Sequence, residues 1–135
     1  MTSSSLPRDK KGRGPLHHAA AEGDASAVLE LLASGADPNT QDADGWSPLH
    51  FSAQANAAEV TKVLLEAGAN VHTLDKFGNS PLFRAVFNCK EDGTVIRLLR
   101  GAGAVPTLEN SHGVSPVQLA RTIANYNVAQ FFVDV

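Results

Sequence analysis

Residues 42–50 read Asp-Ala-Asp-Gly-Trp-Ser-Pro-Leu-His, and residues 60–70 read Val-Thr-Lys-Val-Leu-Leu-Glu-Ala-Gly-Ala-Asn. The first stretch reads as a tight turn running into a helix. Gly45 supplies the backbone freedom a tight turn demands, Ser47 can cap free amides, and Pro48 suits the first helical position, where the N–H it lacks has no partner to lose. The second stretch carries Val60, Val63 and Leu64 at helical spacing and closes on Gly68, where a left-handed residue ends a helix. The unit therefore reads turn, helix, helix, loop.

Working outward, the same theme recurs in both directions. Gly14-Pro15-Leu16-His17, Ser80-Pro81-Leu82-Phe83 and Ser115-Pro116-Val117-Gln118 match Ser47-Pro48-Leu49-His50, and Gly-Ala pairs at Gly35, Gly68 and Gly103 close the first three units. A glycine stands three residues before each proline, at Gly12, Gly45, Gly78 and Gly113. Apolar stripes at Val28/Leu31/Leu32, Val95/Leu98/Leu99 and Val128/Phe131/Phe132 supply each remaining unit with a second helix. The interval Pro81 to Val95 is longer than Pro48 to Val60, which places an enlarged, outward-bulging turn at residues 88–93 of the third unit.

These residues resemble the ankyrin repeat, with its Gly-x-Thr-Pro-Leu-His-x-Ala-Ala start and Leu-Leu-Leu-x-x-Gly-Ala-Asp end. The chain departs from the pattern where Ser or Gly14 replaces the motif threonine and where Phe83 and Gln118 replace the histidine. The expected fold is all-α: an ankyrin-repeat solenoid of four helix-turn-helix repeats joined by short β-hairpin-like loops. Residues 1–8 read as a flexible tail and 9–135 as the repeat domain, with units at about 9–41, 42–74, 75–109 and 110–135. The resemblance implies hairpin tips and first helices lining a concave groove where such proteins bind other proteins. Polar Arg8–Arg13 would cap one end, and the Phe131/Phe132 end would form a more hydrophobic cap.

At 135 residues, with 43% hydrophobic and 19% charged side chains, the chain fits one ordinary domain. It has no apolar run of membrane-helix length, no signal-peptide core at its N-terminus and a single Cys89, so a soluble, cytoplasmic protein is the expectation. Its net charge of −3 is unevenly spread. Residues 21–75 hold nine acids against Lys62, whereas residues 1–20 carry four basic side chains and one acid.

The partner-binding candidates follow from the implied groove: Asp42, Asp44 and Trp46 in the second hairpin, Lys76, Phe77 and Asn79 in the third, His112 and Val114 in the fourth. Trp46, the only tryptophan, is the first choice because exposed aromatics concentrate binding energy, although packing against a neighbouring hairpin is the competing role. Phe77 reads the same way. Phe87, near the end of a first helix, reads mainly as packing between units and comes last. Asp42, Asp44 and Glu22 could steer a basic partner or form a merely solvated acidic face.

Chemistry finds no foothold in the pattern. His17, His18, His50, His72 and His112 lack Cys or carboxylate neighbours in ligand spacing, and the motif histidines are expected to bond the turn. The repeated serines are helix caps outside any nucleophile elbow, and no phosphate-binding loop is present. Neither enzyme activity, metal, cofactor, small-molecule substrate, nucleic acid nor membrane is expected. The basic cluster Arg8, Lys10, Lys11 and Arg13 reads as a solvated tail or polar cap, with a nucleic-acid contact as the alternative.

The expected function is protein binding. One form is neutralisation of a basic toxin or an enzyme, because the third and fourth units look like small bacterial ankyrin proteins, some of which are immunity proteins. The alternatives are a scaffold that self-associates through the C-terminal end and a protein resembling eukaryotic kinase inhibitors. A monomer is expected, with a dimer through that end as the variant.

Overall fold

A computed structural model describes residues 8–89, 93–123 and 128–134. Its helices are α1 (Pro15–Glu22), α2 (Ala25–Ala33), α3 (Pro48–Gln54), α4 (Ala58–Glu66), α5 (Pro81–Phe87), α6 (Thr94–Gly101) and α7 (Pro116–Thr122), followed by a 3₁₀ turn at Val128–Phe132. In each of the first three units the two helices pack against each other, α1 on α2, α3 on α4 and α5 on α6. The first helices stack in the row α1, α3, α5, α7, and the second helices in the row α2, α4, α6. No β-strand forms among the described residues; the hairpins are tight turns in register with one another.

The helices start where the sequence places them. Pro15, Pro48, Pro81 and Pro116 open the first helices, and Ser47, Ser80 and Ser115 each accept the backbone N–H three residues on. Gly35, Gly68 and Gly103 follow the second helices with φ of 100°, 92° and 100°, the left-handed geometry that ends a helix.

The core is a continuous seam between units. Leu49, Leu64, Leu82 and Leu99 are fully buried, as are Val28 and Val60. One such unit has too little apolar surface to close a core by itself, so stacking supplies it. The N-terminal end shows what the stack leaves uncovered. Pro15 and Leu31 are half-buried, whereas their equivalents Pro48 and Leu64 are buried. Together with Leu16 and Ala36 they line a recess of about 160 Å³ beside Arg8, so this end carries apolar surface beneath its polar rim.

Three readings change. The second helix of the fourth unit is a 3₁₀ turn rather than an α-helix. Its Phe132 is 1% exposed and Phe131 half-buried, so the pair expected to present an apolar end is largely spent on the core. Arg8, assigned to the tail, is bonded into the first hairpin through Gly12 O at 2.8 Å and Thr40 Oγ1 at 2.9 Å. Residues 1–7 of the tail, residues 90–92 of the enlarged turn, and Val135 lie outside the described residues.

Candidate functional site: the hairpin groove

Each hairpin is organised by one acidic or amide residue at its base. The carboxylate of Asp42 accepts the N–H groups of Asp44 and Trp46, both at 2.9 Å. Asp75 does the same for Phe77 and Asn79, Asp9 for Lys11 and Arg13, and Asn110 for His112 and Val114. An Asx side chain that takes these otherwise free donors fixes the turn without help from a strand. The row then propagates through the backbone. Ala43 N–H donates to Lys11 O at 2.7 Å, Lys76 N–H to Asp44 O at 2.9 Å, and Ser111 N–H to Phe77 O at 2.9 Å.

Gly45 is required twice at this spacing. Its φ is 81°, and an added Cβ would stand 2.9 Å from Asp75 Cα in the next hairpin.

The motif histidines His17 and His50 bolt α1 and α3 to the neighbouring hairpins. Ser47 N–H donates to His50 Nδ1 at 3.1 Å, which leaves Nε2 to donate to Asn79 O at 2.8 Å. His17 repeats this with Gly14 N–H on Nδ1 and with Trp46 O and Thr40 O facing Nε2. Burial pushes the pKa of both imidazoles down, which suits these neutral, single-proton roles.

Between the first three hairpins runs a groove of about 340 Å³. Its aromatic members are Trp46, Phe51 and Phe77; its cations are Lys11, Arg13, Lys76 and Arg84; Asp44 and Gln54 complete it. Trp46 is half-buried, with its ring 4.8 Å from that of Phe51 and the Arg84 guanidinium 4.6 Å above it. Arg13 stands 5.1 Å over Phe51, and Lys76 5.2 Å over Phe77. Packing and groove lining are thus one role for Trp46, not two.

The structure brings Asp44, Trp46, Lys76 and Phe77 together in this groove. Phe77 is 46% exposed. Asp44 lies between Lys76 at 2.8 Å and Lys11 at 3.8 Å; the Lys76 bond lowers the Asp44 pKa and raises that of Lys76. Phe87 is 61% exposed at the end of α5, contrary to the packing role expected of it. It lies three residues beyond Arg84, on the same side of that helix.

Asp42 and Asn79 are buried and committed to the scaffold. The Asp42 carboxylate is fully enclosed, 3.4 Å from Arg13 Nε, so it organises the turn instead of facing a partner. His112 is exposed and Val114 half-buried in the fourth hairpin, where Val114 joins Gln118, Leu119 and Arg121 in a separate shallow recess.

The sequence reading missed Phe51, Gln54 and Arg84, and it placed Lys11 and Arg13 in a basic tail or cap rather than in the groove. Aligning the units by their prolines puts His18, Phe51, Arg84 and Leu119 in one column, directly after the motif histidine position. A column that changes chemical type between otherwise similar units was the available signal.

No helix among the described residues is long and apolar enough to cross a membrane. A comparison with curated proteins finds no match. A family model described as ankyrin repeats (3 copies) matches residues 16–110, spanning the second helix row, the second and third hairpins with the helix starts that follow them, and the base of the fourth hairpin. Ankyrin repeats are generally protein–protein interaction modules and typically non-enzymatic. The repeated turn, paired helices and unbroken hairpin row agree with that match, and the chain belongs to the ankyrin repeat family.

Proposed function

We propose that this chain binds a partner protein in the hairpin groove, with Phe77 and Phe87 as apolar contacts and Trp46 as the rigid floor. The observation that carries this reading is the exposure of Phe77 in the lining of a groove whose walls are already organised, with the exposed Phe87 one helical turn beyond Arg84 on α5. An exposed phenylalanine has little to offer the chain's own stability, and a preorganised apolar surface lowers the ordering cost of binding. The test is affinity capture with the full chain and with the Phe77→Ala/Phe87→Ala double variant. Loss of the captured protein at an unchanged melting temperature supports the groove; equal capture contradicts it. Trp46→Ala is a poorer probe, because Trp46 also packs on Phe51 and His50.

Toxin neutralisation is the more specific form of this function, and the exposed carboxylates Glu30, Glu59 and Glu66 on α2 and α4 support attraction of a basic partner. Those acids stand outside the groove lining. Reversing Glu59 and Glu66 to Lys should slow association with a basic toxin and flatten its salt dependence; an unaltered association rate contradicts this reading.

A further inference from the structure

We propose that the groove selects an acidic, aromatic-bearing segment of its partner, with carboxylates meeting Lys11, Lys76 and Arg84 and an apolar ring lying against Trp46 and Phe77. This rests on the groove being the binding site, and adds the chemistry of what enters it.

Charge in the molecule is segregated by element. Four of the groove's lining side chains are cations, against the single carboxylate of Asp44. The two other acids at this place, Asp42 and Asp75, have fully enclosed carboxylates, each held by one arginine at 3.4 and 3.3 Å. They fix Arg13 and Arg84 in position but offer an incoming chain no carboxylate surface. Lys11 and Lys76 keep more than half of their side-chain surface exposed, so their bonds to Asp44 are weak enough to be exchanged.

Arg84 has donors to spare. It spends Nη2 on Asp75, and its side chain keeps about a fifth of its surface exposed in the groove lining. A guanidinium fixed on an aromatic face, with a multi-donor head that one carboxylate does not exhaust, is arranged to gain from a second carboxylate at its exposed edge. Three of the four cations lie over aromatic rings, so apolar and anionic contacts are offered side by side.

A nucleic acid is the other polyanion that cations and aromatics accommodate. The surrounding charge disfavours it. Residues 21–75 carry nine acids against one base, and the chain is net −3, so a long uniform polyanion is repelled beyond a short basic patch. A short acidic segment meets the patch alone.

The experiment titrates the full chain with three 12-residue peptides, three repeats of Glu-Phe-Glu-Gly and the same peptides with Gln or Lys in place of Glu. Trp46, the only tryptophan, reports binding by fluorescence. The Glu peptide should bind about tenfold or more tighter than the Gln peptide at low salt, with the gap closing as salt rises. The Lys peptide should fail, and Lys11→Glu/Lys76→Glu should erase the preference. Equal affinity for Glu and Gln peptides, both lost in Phe77→Ala/Phe87→Ala, overturns the charge selection while leaving protein binding in the groove intact. Preference for the Lys peptide, or tighter binding of a deoxythymidine 15-mer than of the Glu peptide, also overturns it.

Discussion

The junction between units two and three and the junction between units three and four use the same backbone link but different side-chain bolts. At the first, Lys76 N–H meets Asp44 O, and His50 ties α3 to Asn79 O. At the second, Ser111 N–H meets Phe77 O, but Phe83 stands where the histidine would be, and the amide of Asn110 bonds Asn79 Oδ1 at 2.8 Å instead. The hairpin row therefore depends on the backbone and on the Asx residue at each turn. The histidine is an added bolt, present on both sides of the groove floor and absent beyond it.

Removing the bolt is the strongest way to break this comparison. His50→Ala leaves the buried Ser47 N–H without its acceptor, removes the second of the two bonds to Asn79 O, which keeps the Asp75 N–H, and opens a cavity, at a cost of about 2–4 kcal/mol. Urea unfolding measures it. A loss no larger than that of Phe83→Ala would remove the distinction between the two junctions.

The turn glycines separate the same regions by steric means. Gly45→Ala meets both a positive φ and the backbone of the next hairpin, whereas Gly113 has positive φ and, among the described residues beyond its chain neighbours, no atom within 4 Å of an added Cβ. Alanine should cost roughly 1 kcal/mol at position 113 and about 1–3 kcal/mol more at position 45. Equal melting temperatures for the two variants would contradict close hairpin packing.

Acid should act on the bolted junctions first. Because burial lowers the folded-state pKa of His17 and His50, the unfolded chain binds more protons as pH falls below about 6.5, and stability declines from there toward the depressed folded values. Above that pH the contribution is complete. Unfolding free energy measured from pH 7.5 to 5.5 should fall, and His17→Gln/His50→Gln should flatten the slope. A slope unchanged in that variant would place the titrating groups elsewhere.

The smallest effect is a gain. Phe83→His offers Ser80 N–H the reciprocal side-chain acceptor that His50 and Gln118 give Ser47 and Ser115, and a donor toward the fourth hairpin, for a stabilisation of about 0.5–1.5 kcal/mol. A destabilised variant would show that the Asn79–Asn110 pair already fills the role.

Much of the fold was legible because the repeat writes the same instruction several times: Ser-Pro at the helix start, an apolar stripe, then a left-handed glycine. The last unit was harder, since the Val128/Phe131/Phe132 stripe has the same spacing whether it winds as α or 3₁₀. Arg100 helps decide its end, donating to Phe131 O at 2.8 Å and pairing with Asp134. The site was legible only along the hairpins. Trp46 and Phe77 stand out by type, but the groove's other wall comes from α3 and α5, and nothing in a single unit reveals that Phe51 and Arg84 share a face with them. Asp42 misled for a related reason. A carboxylate in a charged run looks solvated until the turn it closes is seen.

The account's central claim is that partners enter the hairpin groove rather than settle on the outer helices. Photo-crosslinking tests it most directly, with benzoylphenylalanine placed at Phe77 in one variant and at Leu29, 55% exposed on α2, in another. The account predicts a covalent adduct with the captured protein from position 77 and none from position 29; the reverse pattern would contradict it.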